Sequence, residues 1–554
     1  MTTLKPKICT AMKGYDKKQF FKDLLAGVIV AVIAFPLSVA LAISSGMSPE
    51  KGLYTAIIGG FIVSLLGGSK VNIGGATAAT VMTVFTIIAQ YGLAGLAVAT
   101  VLAGIFLVIM GLLRAGILLR YIPRTITLGF TAAIGAGIFA SQLKGFFGFE
   151  MDSLPVNTID KFVAYAKVVN TLDPTTLMIG ALAMVVLIVM PKITTKIPNS
   201  LIAILVTTPV VLIFDLDVPT IRSVYGELPS HFPKFVMPEF SFSLIVDVLP
   251  SAFTLAILIA IVSLLSCVVT DGLMGEPHDS NQELIAEGIA NIFCGFFGAV
   301  PVAGAVARSS TSVKNGGRTP LVGMVHSAVV TLILLFMLPL AGYIPMPTLS
   351  AILILVAVNM CNFPEIISMV KRAPKSDSIV LLATFVCGVV VNLLFAVEVG
   401  VLSSAVLFLR RMSHVTSIRQ WEDVTEGTPD PEHPEQLNYK KIPDKTLVYE
   451  IEGPVFFATV DELISGIKVR SKYDAIILRM RSVPTVDITA IRSFDIMYEL
   501  CKKKNVKLII SHLNEQPMGV FKKSGLYDTI GAEYFCEHID LALAKAEEVT
   551  QANS

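Results

Sequence analysis

The sequence predicts a polytopic α-helical membrane protein that ends in a small α/β domain, and three observations predict this fold class. Residues 24–113 hold only three charged side chains in 90 positions. Similar apolar runs continue to about residue 409, and the whole chain is 54% hydrophobic and only 15% charged. After Arg410 and Arg411 the composition becomes that of a soluble protein. Because a helix needs about 20 predominantly apolar residues to cross a bilayer, the apolar part is expected to span the membrane many times.

These composition changes divide the chain into four predicted parts. They are a cytoplasmic N-terminal segment (1–22), a transmembrane domain (23–411), a linker (412–438) and a cytoplasmic α/β domain (439–550). Six lysines precede the first apolar run, and basic flanks of membrane helices stay in the cytoplasm. Basic residues also follow the last run. We therefore expect a multi-pass protein of the inner (plasma) membrane, with an even number of spans and both termini in the cytoplasm.

The apolar runs give 14 candidate spans, which is an even number. The polar, proline-rich connection 215–247 divides them into two halves of seven, and the runs 53–67, 304–316 and 398–410 are too short to cross alone. The candidate spans are 24–45, 53–67, 75–91, 93–113, 121–143, 175–190, 200–214, 246–270, 284–300, 304–316, 320–340, 348–362, 376–396 and 398–410.

Each half contains a stretch of small residues near its third span. These stretches are VNIGGATAA at 71–79 and VPVAGAVAR at 300–308, and each leads into a short apolar run. Paired interruptions at matching positions indicate a midplane binding site of a transporter. Since each half has an odd number of spans, the two repeats are expected to be inverted across the membrane.

A helix that begins in the middle of the membrane favours an anion at its start. Its first N–H groups have no partner within the helix, and its dipole is positive there. Gly74, Gly75, Ala303 and Gly304 carry little or no side chain, so a ligand can approach their backbone closely. The alternative is that these small residues only allow helices to pack closely, as is common in membranes.

The C-terminal part predicts alternating strands and helices. An acidic, proline-rich stretch at 421–438 reads as linker. The predicted strands are 446–452, 455–458, 475–480 and 506–511, and the predicted helices are 459–470, 488–502, 515–524 and 539–549.

Several classes of function find no support in the sequence. The seven cysteines are scattered without a CxxC pair, so neither a disulfide nor a zinc site is expected. The net charge of +1 does not indicate a nucleic-acid partner. We find no nucleophile–base arrangement, no metal cluster and no phosphate-binding glycine loop, so we expect neither an enzyme nor a bound cofactor.

The motifs of both parts together resemble one known family. FPL at 35–37, GLYTA at 52–56, GGATAA at 74–79, NQEL at 281–284 and ARSS at 307–310 resemble the sulfate permease family of anion transporters. VPTVDIT at 483–489 resembles the cytoplasmic STAS domain of that family. The resemblance implies a seven-plus-seven inverted repeat, with a core domain moving against a gate domain, in a homodimer within the lipid bilayer.

The resemblance also implies where the anion binds. In the family it lies between the N-termini of half-helices 3 and 10, and spans 1 and 8 close the pocket. The substrate-binding candidates in this chain are therefore Phe35, Pro36, Gly75, Ala76, Thr77, Ala303, Gly304, Ala305 and Arg308. A guanidinium in an apolar environment usually marks function, so Arg308 is expected to add positive charge to the site. Otherwise it extends to the membrane surface or pairs with a carboxylate such as Glu287.

The coupling ion is less clearly indicated, and Na+ and H+ are both candidates. Proton-coupled members of the family often carry a glutamate 19 positions before the asparagine of NQEL, where this chain has Val262. The valine argues against simple proton symport. Ser263 and Ser266 can contact the anion or sodium, although bonding to their own helix is the expected role of membrane serines. Glu287 is the third coupling candidate, because it lies within an apolar run.

For four further residues the sequence permits a structural role as well as a functional one. Glu283 is three residues after Ser280, the spacing of a capping box, so it is expected to start span 9. His326 is expected to bond to a neighbouring helix rather than to relay protons. Asp487 and Thr489 precede or begin a predicted helix, which they are expected to cap. In related STAS domains this loop accepts a phosphate or contacts a cytoplasmic partner, so both remain regulatory candidates.

The sequence therefore predicts a secondary active anion transporter that works by alternating access. The substrates considered are sulfate or a similar oxyanion, bicarbonate, and a C4-dicarboxylate. A nucleobase transporter of the same fold is an alternative, although Val262 removes the carboxylate that it would need. The second alternative is a membrane-anchored signalling or scaffolding protein in which the STAS domain is the working part.

Overall fold

A computed structural model describes residues 4–12, 15–119, 123–151, 154–194, 198–421, 441–459, 467 and 469–552. The chain forms two compact units, Met1–Leu402 and Ser403–Ser554. The predicted linker lies largely outside the described residues, and so does most of the helix predicted at 459–470.

The first unit is built from helices, and six helical stretches among the described residues are long and apolar enough to cross a membrane. This confirms the predicted helical membrane fold. The helices are α1 (Ile8–Ala11), α2 (Lys17–Ser44), α3 (Pro49–Tyr54), α4 (Gly60–Leu66), α5 (Ala78–Leu112), α6 (Gly116–Leu119), α7 (Arg124–Phe147), α8 (Thr158–Val168), α9 (Pro174–Ile193), α10 (Asn199–Ile213), α11 (Ile221–Tyr225), α12 (Phe242–Met274), α13 (Ser280–Phe296), α14 (Val306–Lys314), α15 (Leu321–Phe336), α16 (Leu338–Ala341), α17 (Met346–Cys361), α18 (Phe363–Arg372), α19 (Lys375–Val390) and α20 (Leu393–Ser413).

Two local breaks in these helices position the site. Within α5, Gly92 has φ of 68°, so the continuous element is two spans joined at a sharp turn. Between α3 and α4, Thr55–Gly59 forms a π-helical turn, which occurs frequently at functional sites. The Thr55 hydroxyl there donates to the carbonyl of Val300 at 2.7 Å. This bond ties the second span to the chain that leads into α14.

Short strands replace helix at the two small-residue stretches. β1 (Gly74–Gly75) and β2 (Ala303–Gly304) pair in antiparallel fashion, with Gly74 opposite Gly304. α5 and α14 begin three and two residues after these strands, respectively. Small residues allow this because two backbones meet inside a packed bundle, where larger side chains would separate them.

The second unit is the predicted α/β domain. Its sheet has the order β3-β4-β5-β6-β7, with β3 antiparallel to β4 and the other neighbours parallel. Buried Tyr449, Phe494 and Phe521 form part of its core. The strands are β3 (Ser417–Trp421), β4 (Thr446–Glu452), β5 (Ala475–Ser482), β6 (Lys507–Ser511) and β7 (Phe535–Cys536), and the helices are α21 (Ile488–Lys503), α22 (Glu515–Lys523), α23 (Leu526–Ile530) and α24 (Ile539–Ala552).

The strand predicted at 455–458 is wrong. Gly453 has φ of 91° and Pro454 follows it, so the chain turns away after β4. Val455 makes only an isolated parallel bridge with Val486. The short strands β3 and β7 were not predicted. β3 pairs with β4 although it lies within the predicted linker (412–438), and β7 has only two residues.

The loop before α21 combines a cap with an exposed threonine. The Asp487 carboxylate accepts from the Ala490 N–H at 2.8 Å and from the Phe457 N–H at 3.0 Å. The predicted capping role of Asp487 is therefore confirmed. Thr489 lies exposed in the first turn of α21.

Candidate functional site

The pairing of β1 with β2 brings two helix N-termini together inside the first unit. The strands run antiparallel, so α5 and α14 leave the junction in opposite directions. The Ala305 N–H donates to the Ile73 carbonyl at 3.0 Å, which fixes the start of α14 against the start of α5. The first N–H groups of a helix have no partner within the helix, and the positive dipole ends of α5 and α14 both lie at this junction. We call residues 74–77 and 303–305 the cradle.

Arg308 lies in the first turn of α14 and crosses to the start of α5. Its guanidinium donates to the Ser38 hydroxyl at 2.9 Å and to the carbonyls of Gly74 and Ala76 at 3.3 and 3.4 Å. The side chain is only 3% exposed, so it does not extend to the membrane surface. It makes no ion pair with Glu287 or with any other carboxylate in the part of the chain that the structure describes.

Gly75 leaves the space that Arg308 occupies. A Cβ atom added at Gly75 would lie 1.5 Å from Arg308 Nη1, so the guanidinium would have to move from its observed place. A Cβ atom added at Gly304 would lie 2.7 Å from Asn72 Nδ2. The two glycines therefore allow the side chains of Arg308 and Asn72 to approach the backbone closely, in addition to exposing that backbone.

The remaining predicted binding residues differ in their burial and in their contacts at this junction. Thr77 precedes α5 and is buried, but its hydroxyl lies 3.5 Å from the Thr80 hydroxyl and does not cap the helix. Ala303 pairs with Gly75. Phe35 and Pro36 lie on α2, where Pro36 is buried and Phe35 is half-buried.

On α2, the contact to the guanidinium comes from Ser38, which is not among the predicted binding residues. Ser38 lies two residues after Pro36, within the same buried turn of α2. A serine directly after the FPL motif, within an apolar run, was the sequence signal that could have identified it.

Behind the cradle lies a buried polar cluster centred on Asn72. Its Nδ2 donates to Glu283 at 2.6 Å, and its Oδ1 accepts from the hydroxyls of Ser266 at 2.8 Å and Ser309 at 3.1 Å. The Ser309 hydroxyl in turn accepts from the Ile73 N–H at 3.0 Å. The cluster joins α12, α13 and α14 to the strand that carries the cradle.

The capping interpretation of Glu283 is wrong. Asp279 caps α13 instead, accepting from two N–H groups of its first turn at 3.1 Å. The Glu283 carboxylate reaches back and accepts from the N–H groups of Gly68 at 2.7 Å and Ser69 at 3.0 Å, as well as from Asn72. The carboxylate therefore holds the loop before β1. The cap is supplied by Asp279, one position before Ser280.

The predicted role of the two span-8 serines is also wrong. The hydroxyl of Ser263 accepts from the Gly304 N–H at 2.9 Å and makes no described bond to its own helix. Ser266 donates to Asn72. Both serines thus face the cradle side of α12, and their bonds to neighbouring elements replace the local bond that an isolated helix would offer.

Two further ionisable side chains are buried without a hydrogen-bond partner. Both carboxylate oxygens of Glu287 lack one, although the group lies beside Ser263 and the Gly304 amide. That hydroxyl and that amide bond to each other instead. Both ring nitrogens of His326 also lack a partner, so its predicted bond to a neighbouring helix is wrong. His326 faces Gly60, which has no side chain to offer.

We expect Glu283→Ala to destabilise the first unit strongly. The change leaves three buried donors without an acceptor, and each unmet donor costs about 1–3 kcal/mol. Thermal unfolding of the purified protein in detergent measures the loss. Glu276→Ala is a matched control, because Glu276 is half-exposed in its ion pair with Lys70, and an exposed pair contributes about 0–1 kcal/mol. Equal unfolding temperatures for the two variants would contradict this role of Glu283.

Comparison with known proteins agrees with this architecture. The model of the sulfate permease family matches residues 20–384, and the STAS domain model matches residues 437–546. The chain is 38% identical over 531 residues to the candidate sulfate transporter YvdB of Bacillus subtilis, covering 95% of this chain and 98% of that protein. It is 29% identical over 502 residues to the bicarbonate transporter BicA of Picosynechococcus, covering 84% of each chain.

Solved structures give the same result for the fold. The murine Solute Carrier 26 family member A9 anion transporter superposes with a TM-score of 0.86 at 19% identity, covering 98% of this chain and 94% of that chain. The transmembrane domain of a cyanobacterial bicarbonate transporter, BicA, superposes with a TM-score of 0.62 at 29% identity, covering 69% of this chain and 98% of that chain.

Proposed function

Since the chain belongs to the sulfate permease family, we propose that it is a secondary active transporter that carries a small oxyanion, sulfate or bicarbonate, by alternating access. The relatives at 38% and 29% identity are named for these two anions. We further propose that the anion binds at the cradle, between the N-termini of α5 and α14.

The observation that carries this proposal is the uncompensated charge of Arg308. A buried guanidinium that meets only a hydroxyl and two carbonyls keeps its full positive charge in a medium of low polarity. Two helix N-termini add their positive dipole ends at the same place. A bound anion would supply the missing negative charge, and it would accept hydrogen bonds from the guanidinium and from backbone N–H groups at the helix starts.

The cradle favours small anions over large organic substrates. Its walls are Gly75, Ala76, Ala303, Gly304 and Ala305, so recognition relies on backbone N–H groups and on Arg308. Such donors select charge and size rather than chemical identity. Sulfate and bicarbonate meet this requirement, and fumarate tests the upper size limit.

We propose Glu287 as the group that binds the coupling cation, H+ or Na+. A fully buried carboxylate whose two oxygens make no hydrogen bond is unfavourable unless a cation accompanies it. It lies beside the Ser263–Gly304 bond, so a cation on Glu287 acts directly on a cradle amide. Ser263 and Ser266 are supporting groups in this proposal, because both already make hydrogen bonds within the protein.

The membrane, the orientation and the oligomeric state of the transporter are likewise proposed from the charge pattern and the family. We infer an inner-membrane homodimer with both termini in the cytoplasm, where the basic flanks favour that orientation. The STAS domain then meets cytoplasmic partners. Asp487 lines a groove together with Asn514, Gln516 and Lys523, which we propose as the regulatory contact. Thr489, two residues further along the chain, is the candidate for modification beside it.

We expect purified protein in proteoliposomes to take up labelled sulfate or bicarbonate faster than fumarate. An inward gradient of Na+ or of H+ should accelerate the uptake, and only one of the two should do so. Glu287→Gln should abolish that acceleration while anion exchange without a gradient continues, because the cradle is unchanged. Measuring each anion with a sodium gradient, a proton gradient or neither tests both parts.

Two results would contradict these predictions, one for the transported anion and one for the role of Glu287. If folded protein moved none of the three anions, transport of small oxyanions would be the wrong function. If Glu287→Gln responded to the gradient as the unchanged protein does, the cation would bind elsewhere. Glu276→Gln is the matched control, because the Glu276 side chain is half-exposed. Asn291 is unsuitable for this purpose, because it bonds to Val302 at 2.9 and 3.0 Å beside the cradle.

A further inference from the structure

The short helix α8 carries a buried lysine in the connection between the fifth and sixth spans. With both termini in the cytoplasm, as proposed above, this connection lies on the outer side. One face of α8 packs inward through Thr158, Lys161 and Tyr165, spaced three and four residues apart. The opposite face, including Phe162 and Val163, is about half exposed.

The inward face of α8 is fastened to α7. The Tyr165 hydroxyl donates to the Ala140 carbonyl at 2.7 Å, and Lys161 Nζ donates to the Ser141 hydroxyl at 2.8 Å. The same Nζ lies 3.6 Å from Met82 Sδ and 6.0 Å from the centre of the Phe85 ring, both on α5. Lys161 therefore crosses the seam between α7 and α5, the helix that begins at the cradle.

The position of this ammonium relative to the cradle follows from helix geometry. Met82 is four residues after Ala78, the first residue of α5, which corresponds to about 6 Å along the helix. An anion that moves outward from the cradle along α5 meets Lys161 about one turn later. The seam is closed in this structure, where Gln142 on α7 also donates to the Ser44 hydroxyl on α2 at 2.9 Å.

The charge of Lys161 has no counter-charge among the described residues. The side chain is 1% exposed, and its contacts are a hydroxyl, a thioether and an aromatic ring, none of which is anionic. The nearby carboxylate of Asp160 is exposed and accepts from Asn157 at 3.0 Å. A buried ammonium without a carboxylate is unfavourable, and an anion passing the seam would remove that penalty.

We propose that Lys161 is a second anion-binding residue, which holds an entering small oxyanion on the outer side of the cradle before the anion reaches Arg308. This inference rests on the proposed transport function. It assigns the lysine a role in the affinity for external anion, because the connection that carries α8 lies on the outer side in the proposed orientation.

The proposal implies a defined dependence on external pH. Burial lowers the pKa of Lys161 to about 8, so its charge falls as the pH rises through that value. Among the described side chains that face it from α5, α7 and α8, Tyr165 is the titratable one, and burial raises the pKa of Tyr165 to about 12. The helix α19 also packs against α8, and apart from Cys387 its ionisable residues lie in its first turn, at Lys375 and Asp377.

The test is the KM for external sulfate in oriented proteoliposomes, because sulfate keeps the same charge over the whole pH range. A group with a pKa of about 8 loses about tenfold of its charged form between about pH 7 and about pH 9, so KM should rise about tenfold. Lys161→Met should have a high KM at both pH values. Lys161→Arg should have a low KM at both, since arginine stays charged. Ser141→Ala is the control, because it removes the hydrogen bond at 2.8 Å but retains the charge and the pH dependence.

Several results would overturn this inference. A Lys161→Met variant with the KM and pH profile of the unchanged protein would do so. A Lys161→Arg variant that still lost affinity at high pH would do so even if the methionine variant failed to fold. A second readout does not depend on transport, namely labelling of Lys161 by an anionic amine reagent, followed by mass spectrometry. Sulfate should slow this labelling, and equal rates with and without sulfate, or no labelling at all, would reject the site while leaving the cradle proposal to its own test.

Discussion

Arg308→Gln is expected to lower sulfate transport at subsaturating concentration by roughly ten- to 150-fold, which corresponds to about 1.5–3 kcal/mol for one charge-assisted hydrogen-bond partner. Glutamine can still donate to the Ser38 hydroxyl, but it brings no charge. The physical reason is that Arg308 is the cation of the cradle, and its guanidinium makes no ion pair with a carboxylate among the described residues. Initial rates of uptake over a range of sulfate concentrations measure the effect.

Two control variants separate charge from shape in this experiment. Arg308→Lys retains the charge but loses the forked donor, so it should lie between the glutamine variant and the unchanged protein. Arg318→Gln removes a guanidinium that donates to the carbonyls of Val313 and Gly317 at 2.9 and 2.8 Å, outside the cradle, and should transport normally. Unchanged uptake by folded Arg308→Gln would remove Arg308 from the proposed site.

The folding of Arg308→Gln should be little affected, which makes the transport result interpretable. Removing a buried cation with no anionic partner relieves a desolvation penalty, and this relief offsets the weaker bonds to Gly74 and Ala76. We therefore expect a similar unfolding temperature in detergent. A large decrease would mean that Arg308 mainly holds the two helix starts together.

The sequence was sufficient to predict the interrupted helices and the cradle. Their signals are local: a run of small residues within an apolar stretch, repeated at a matching position in the second half. The backbone then makes the site, so little depends on knowing distant side-chain contacts. Gly74 and Gly304, which the pattern placed in corresponding stretches, are direct partners in the strand pair.

The polar cluster behind the cradle was not predicted, because its contacts are distant in sequence. Asn72 and Glu283 are 211 positions apart, and Asn72 and Ser309 are 237 apart. At the sequence level Glu283 fits a capping box equally well, and only the tertiary arrangement shows that Asp279 supplies that cap. The same reason explains Ser263 and Ser266, for which the local bond is the only one that sequence can suggest.

This cluster has a mechanical consequence for the proposed cycle. Glu283 on α13, Ser266 on α12 and Ser309 on α14 all reach Asn72, which lies two residues before β1. Breaking any of these bonds leaves a buried polar group unpaired, so the four elements are expected to move together. The polar contacts across the seam are the Gln142–Ser44 hydrogen bond and the contacts of Lys161 with Met82 and Phe85. They involve no carboxylate and are cheaper to break. We infer that access changes at the seam, while the cradle keeps its shape.

Gly75→Ala should reduce transport at least as much as Arg308→Gln, although it removes no polar atom. The new methyl group would lie 1.5 Å from Arg308 Nη1, whereas non-bonded heavy atoms require about 3.5 Å. The guanidinium must therefore leave its place between the Gly74 and Ala76 carbonyls. Overpacking of this kind costs about 1–3 kcal/mol of stability as well, so thermal unfolding and sulfate uptake should both respond.

A double variant identifies the clash as the cause. In Gly75→Ala with Arg308→Ala the guanidinium is absent, so the unfolding temperature should recover toward that of Arg308→Ala while transport stays low, because interacting positions are not additive. Gly272→Ala is the matched control, since a Cβ atom there meets no heavy atom within 4 Å. If Gly75→Ala transported sulfate normally, the methyl group would have found room without moving Arg308. The close approach of the β1 backbone to the guanidinium, on which the cradle depends, would then be incorrect.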